Sequence, residues 1–201
     1  MAEIYTGIKF NYKSLGKTII KSELLSELKN WCAFFNEKNL APPYLGGSSG
    51  NLSFRIKPGT INFIITASHT ALRENMPDSD FTKIVSYDEN KNLITGKGTK
   101  EPSSESIMHH IIYKYKPEIN AVFHGHSPEI LKFADQLKIP VTKKEFEYGT
   151  IKLAKEALKL LTTHNFIILK NHGFISLGKT VQEAGNLTIN FLNNCKSINN
   201  E

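Results

Sequence analysis

Between residues 51 and 67 the chain reads NLSFRIKPGTINFIITA, in which alternating apolar residues meet a Pro58-Gly59 turn and then the apolar run Ile61 to Ala67. Two such runs joined by so short a turn pair as antiparallel strands, because a parallel pair needs a crossover of roughly a dozen residues or more. A hairpin placed this early excludes a sheet built only of repeated βαβ units. Elsewhere strand-like and helix-like segments alternate. The expected architecture is therefore a mixed or largely antiparallel sheet covered by helices.

The helical segments declare themselves by spacing. Over 22–38, Leu24, Leu25, Leu28, Trp31, Cys32 and Phe35 recur every three or four residues behind a capping Ser22, which predicts an amphipathic helix with Trp31 and Phe34 in the core. A second helix is expected to open at Ser103 and Ser104, which follow Pro102, and to end before Pro117. Further along, 121–126 reads as a strand, 128–137 as a helix, 148–163 as a longer helix and 166–170 as a buried strand. Gly178 interrupts the chain before a last helix from Thr180 to about Lys196, followed by a frayed Asn/Ser-rich tail.

With 201 residues, 40% hydrophobic and 22% charged, the chain is long enough for one sizeable core, and a single domain over 1–201 is expected. No stretch approaches the roughly 20 apolar residues of a membrane span, and MAEIYTGIKFNYKS lacks the apolar centre of a signal peptide. A cytoplasmic protein without membrane contact is expected. Cys32 and Cys195 lie far apart with no metal-type spacing, so both read as reduced, structural thiols. The formal charge of +6 is spread over single lysines rather than basic runs with interleaved aromatics, which argues against nucleic acid. A positive balance suits small anionic substrates instead, by raising their concentration near a cleft.

The chemistry is concentrated in three places. In AVFHGHSP, His124 and His126 stand two apart at the end of an apolar strand, so both imidazoles project from one face and can meet one ion. Taken alone, the pair reads equally well as one core histidine and one solvated one. A third, His172, follows a buried strand in ILKNHGFISLG, beside Gly173, which would permit a sharp turn into a cleft. Three neutral imidazoles leave a coordination position open, as catalytic sites do. Glu105, in KEPSSESIMHH, offers a carboxylate for proton transfer in the first turn of a helix whose N-terminus also attracts anions; by itself it reads more readily as a glutamate complementing the helix dipole. In GGSSGN, Gly46, Gly47 and Gly50 with Ser48, Ser49 and Asn51 make either an ordinary turn or a phosphate cradle, and spacing does not choose between them.

The ordered set GGSSGNLSFR, IITAS, PSSE with MHHIIYKYKPEINAVFHGHSP, and KNHGFISLGKTVQEA resembles the class II aldolase/adducin superfamily from about Gly46 to Ala184. Four motifs in the right order are far more specific than any one of them. The resemblance implies a three-layer α/β/α sandwich on a largely antiparallel mixed sheet, assembled as a homotetramer with active sites between subunits. It implies His124, His126 and His172 as ligands of one divalent metal ion per subunit, most often Zn2+, with Mn2+, Co2+ or Fe2+ as alternatives. Glu105 becomes the catalytic acid/base and a possible fourth ligand. Phosphate contacts fall on Gly50, Asn51, Ser68, Ser103 and Ser104. The implied function, within carbohydrate metabolism, is a lyase that cleaves a small phosphorylated ketose through a metal-stabilised enediolate. Dehydration of the methylthioribulose-phosphate type, or 4-epimerisation, would use the same platform; an adducin-like assembly module would not need the metal site.

Two departures stand out. His69 in TASHTALREN replaces the family's glycine, which alters the phosphate pocket: either its side chain contacts the anion or the substrate is not a standard sugar phosphate, and Arg73 reads as a compensating bidentate grip or, at least as readily, as a surface residue. The interval between His126 and FEYGT is also much shorter than in fuculose-phosphate aldolase and offers no counterpart of the tyrosine that donates a proton there. Asp135, on the helix just after the ligands, is no good match for the epimerase's acid/base aspartate.

Overall fold

The computed structural model describes residues 6–44 and 46–199. The chain runs through β1 (Asn11–Ser14), α1 (Leu25–Glu37), the two-residue arms β2 (Pro43–Tyr44) and β3 (Gly47–Ser48), then β4 (Asn51–Arg55) and β5 (Phe63–Thr66). It continues with β6 (Phe81–Asp88), β7 (Leu93–Gly98), α2 (Ser106–Tyr115), β8 (Ala121–Gly125), α3 (Pro128–Lys132), α4 (Ile151–Leu161), β9 (Phe166–Leu169), β10 (Gly173–Gly178) and α5 (Val181–Asn199). Eight of these strands form one sheet in the order β1-β7-β6-β5-β4-β8-β10-β9. Its strand pairs are antiparallel except β1 with β7, as the early hairpin required.

Both faces of the sheet are buried, and the strand residues sort strictly by alternation. Ile64, Phe123, Phe166, Ile168 and Phe174 face a core closed by α1, α3 and α5. Their neighbours Phe63, Ile65, Val122, Ile167 and Ile175 face a second core closed by α2 and α4. This is the expected α/β/α sandwich. In α1, Leu25, Leu28, Trp31, Cys32 and Phe35 are buried along one face and Phe34 packs at its margin, as their spacing predicted. Cys32 and Cys195 are buried free thiols.

Several boundaries differ from expectation. The helix expected over 128–137 is a short α3 followed by turns, with Lys138 in the left-handed region. Ser103 and Ser104 precede α2 by three and two residues; Ser103 Oγ accepts the Glu105 N–H, and Glu105 itself is the cap residue. The last helix continues through Asn199 where a frayed tail was expected, and residues 200 and 201 lie outside the described set, as does the opening MAEIY. Strands β6, β7 and β10 were not anticipated: LITGKG and GFISLG carry glycines that read locally as turns but are held straight by pairing on both sides. No helix among the described residues is long and apolar enough to cross a membrane.

Candidate metal centre

The three histidines meet because two antiparallel neighbours, β8 and β10, end side by side. His124 lies within β8, paired with Ile175 of β10 on one side and Asn51 of β4 on the other. His126 follows two residues later, its backbone N–H fastened to the Leu40 carbonyl (2.8 Å). His172 occupies the turn from β9 to β10. The left-handed residue there is Asn171 (φ 57°), not the glycine that sequence reasoning chose. Gly173 serves close approach instead: a Cβ on it would lie 2.4 Å from the Gly125 carbonyl oxygen and 2.9 Å from His124 Cε1. At the other side, a Cβ on Gly50 would lie 2.7 Å from the His124 carbonyl oxygen, so the Gly/Ser turn can press directly onto the ligand strand.

Protonation follows from the hydrogen bonds. His124 Nδ1 is 2.8 Å from the Phe174 carbonyl oxygen, which can only accept, so Nδ1 carries the hydrogen. In the neutral ring this leaves a lone pair on Nε2, which faces His126 Nε2 at 3.0 Å and Glu105 Oε2 at 2.9 Å. His172 Nε2 is 3.0 Å from Glu105 Oε1. The potential donor atoms of the three histidines all lie within 4.8 Å of one another. Burial raises the Glu105 carboxyl, but the attraction and hydrogen bonds that His124 and His172 offer when a proton sits on their Nε2 atoms outweigh it and hold the group well below the usual carboxylate range. Burial first, then the neighbouring rings, hold His126 well below the ordinary imidazole value. A buried carboxylate and converging ring nitrogens are an acceptor-rich set that calls for a cation at its centre. Nitrogens about 2.0–2.1 Å from a tetrahedral ion stand roughly 3.3 Å apart, close to the 3.0 Å between His124 Nε2 and His126 Nε2. The donor set therefore fits a divalent metal.

Above this cluster opens a cavity of about 410 Å³. Of the residues singled out from sequence, Gly50, Asn51, Ser68, Ser103, Ser104, Glu105, His126 and His172 line it, while fully buried His124 lies outside the wall, against Glu105 and His126. The side chain of Asn51 is committed to the carboxylate, its Nδ2 donating to Glu105 Oε2 at 2.9 Å. Arg73 does not line the cavity: its guanidinium donates to the Ala71 carbonyl and to Asp80 Oδ2 at 2.7 Å, which corrects its assignment as an anion grip. Asp135 is likewise absent from the wall. Sequence reasoning missed Tyr44, Thr70, Tyr148 and Asn171 as wall residues. Asn171 had a readable signal in its position beside His172; the tyrosines reach the wall only through tertiary packing.

The description "Class II Aldolase and Adducin N-terminal domain" belongs to the family whose model matches residues 28–198. An L-fuculose phosphate aldolase of Methanococcus maripaludis is 34% identical over 155 residues, covering 70% of this chain and 79% of that protein. A 5-methylthioribulose-1-phosphate/5-deoxyribulose-1-phosphate aldolase of Rhodospirillum rubrum is 28% identical over 159 residues, covering 71% and 67%. Among solved structures, an L-fuculose 1-phosphate aldolase superposes with a TM-score of 0.69 at 25% identity, over 90% of this chain and 86% of that one. The chain thus belongs to the class II aldolase and adducin N-terminal domain family.

Proposed function

We propose that this single-domain protein is a zinc-dependent aldolase that cleaves a small phosphorylated ketose, with His124, His126 and His172 holding the ion and Glu105 transferring the proton. The observation that carries the reading is the convergence of three imidazoles and one buried carboxylate at the floor of a cavity whose walls are serine- and glycine-rich turns. A divalent ion in this site supplies Lewis-acid stabilisation of the negative charge that develops on substrate oxygens as a C–C bond breaks. The chain supplies the rest. The Phe174 carbonyl fixes the His124 tautomer, so that Nε2 is presented as a ligand. Glu105, oriented by Asn51, is the acid/base group and a fourth ligand when substrate is absent. Gly50, Asn51, Ser68, Ser103 and Ser104 hold the phosphate at the cavity wall, beside the N-terminus of α2.

Relatives with a methylthioribulose-phosphate dehydratase activity, such as that of Methylococcus capsulatus at 26% identity, support dehydration as the second reading, since it needs the same charge stabilisation. An assembly role would leave the open histidine-carboxylate site without a purpose. The family resemblance also supports a homotetramer with the site near a subunit boundary, in the cytoplasm. A screen of phosphorylated ketoses for aldehyde release, with zinc or manganese added and metal content measured, tests the main reading. Release of water without carbon-carbon cleavage would favour dehydration. Protein that binds no divalent metal would overturn both.

A further inference from the structure

Two non-glycine residues in the cavity wall have left-handed backbones, His69 (φ 51°) and Asn171 (φ 57°). Asn171 has a local reason: asparagine tolerates this region, and its Nδ2 donates to Glu145 Oε2 at 2.7 Å while turning the chain towards His172. Of the six such residues described, four are asparagines; His69 is the one among the others that faces the cavity. Such a backbone costs stability and is kept where the surroundings or a function demand it.

Hydrogen bonds fasten the turn on either side of His69. Ala67 N donates to the Asp80 carbonyl (2.8 Å), Ser68 N to the Glu101 carbonyl (2.9 Å), and Leu72 N to Ser48 Oγ (2.9 Å), which ties this turn to the Gly/Ser turn opposite. The imidazole reaches across to that second turn, its Nδ1 3.6 Å from the place a Cβ on Gly46 would occupy. It thus stands between two turns rich in hydroxyls, with Ser68, Thr70 and Ser49 on the same wall. Behind it, Lys100 Nζ lies 3.3 Å from Thr70 Oγ1, and Lys100 and Arg73 both pair with buried Asp80, so two cations share one carboxylate. The local field favours an anion.

From this geometry we infer that His69 is a specificity-determining residue, donating an imidazole N–H to the anionic group of the substrate and closing that end of the cavity between the two turns. The inference rests on the phosphorylated-substrate reading above and assigns it a residue outside the metal cluster. Metal-loaded wild-type protein, His69→Gly and His69→Gln are titrated with inorganic phosphate, followed by thermal shift and by competition against turnover. Glycine suits the left-handed backbone, so His69→Gly without phosphate is expected to melt no lower than wild type. Its affinity for phosphate should fall roughly 10-fold, as expected for losing a hydrogen bond to a charged group, with kcat changed less than about two-fold. His69→Gln keeps an N–H donor and should recover most of that affinity. Phosphate binding by His69→Gly as tight as wild type overturns the assignment, and so does a glutamine variant as weak as glycine, which would mean that the ring acts by shape alone. If the wild type itself binds no phosphate although it holds its metal and cleaves an unphosphorylated ketose, the phosphorylated-substrate reading fails and this assignment with it.

Discussion

Strand β4 and helix α2 each carry a buried polar group at both ends, and the two ends behave in opposite ways. At one end Asn51 and Glu105 join the histidines; at the other, Arg55 lies 2% exposed against the last turn of α2. The Arg55 guanidinium donates to the carbonyls of Tyr113 (2.6 Å), Lys116 (2.7 Å), Ile119 (2.5 Å) and Thr60, and stacks on the Tyr113 ring at 4.6 Å. Its donors are matched by acceptors, and a cation at a helix C-terminus complements the dipole. The Glu105 end also obeys the dipole, but there a carboxylate and ring lone pairs crowd together with no fixed cation among them. Burial of charge therefore does not mark a site. What marks it is a cluster of one polarity that the chain leaves for something else to complete.

The sharpest way to break this contrast is to remove the charge at each end in turn. Glu105→Gln keeps the shape and should lower turnover by roughly 10²- to 10⁴-fold while metal remains on the three histidines. Metal content and single-turnover kinetics check it; loss of metal would make Glu105 chiefly a ligand, and near-normal turnover would send the proton elsewhere. Arg55→Leu should do the reverse. With four carbonyls left without their donor it should cost about 3–5 kcal/mol of stability, near 10 °C in Tm, while the residual folded protein keeps its metal affinity. A Tm within a degree or two of wild type would show that the closed end contributes little.

A smaller effect separates the helix's own histidines from the ligands. His110 is 4% exposed, and burial, aided by nearby Lys114, lowers its pKa to about 4 from an ordinary 6.5. The folded state then binds fewer protons than the unfolded chain between those values, so stability is present above about pH 6.5 and drains away as pH falls towards 4, by at most about 3 kcal/mol. His110→Phe should flatten that part of the curve, which urea melts at pH 7 and pH 5 would reveal; an unchanged pH slope would assign the acid lability to other groups. The smallest expected effect is at Asn51. Removing its donor to Glu105 in Asn51→Ala should lower kcat about 10-fold, with Tm shifted by no more than a few degrees. Loss of phosphate affinity with kcat intact would instead limit Asn51 to the phosphate and leave Glu105 oriented by other groups.

Local periodicity was enough to locate α1, α4, α5 and the hairpin β4–β5, because an apolar face of fixed repeat survives whatever packs against it. It was not enough for β6, β7 and β10; the glycines of β7 and β10 are strand-compatible only when neighbours on both sides hold them straight. The same division runs through the site. HGH, NHG and PSSE were visible as candidate chemistry, but strand alternation aims only His124 and His126 together, and it was the ordered resemblance to the family that joined them with His172 and Glu105. Gly173 was identified from sequence but for the wrong reason, since only the approach of β8 shows what its missing Cβ avoids. Arg73 looked like an anion grip until Asp80, seven residues on, proved to be its partner. By itself, then, the sequence determined which residues were candidate donors, through the order of its motifs, and the sheet's antiparallel character, through short-range period. Which buried charges are closed and which stay open, and which side chains wall the cavity, were decided only by tertiary structure, because hydrogen-bond satisfaction depends on neighbours brought from distant parts of the chain.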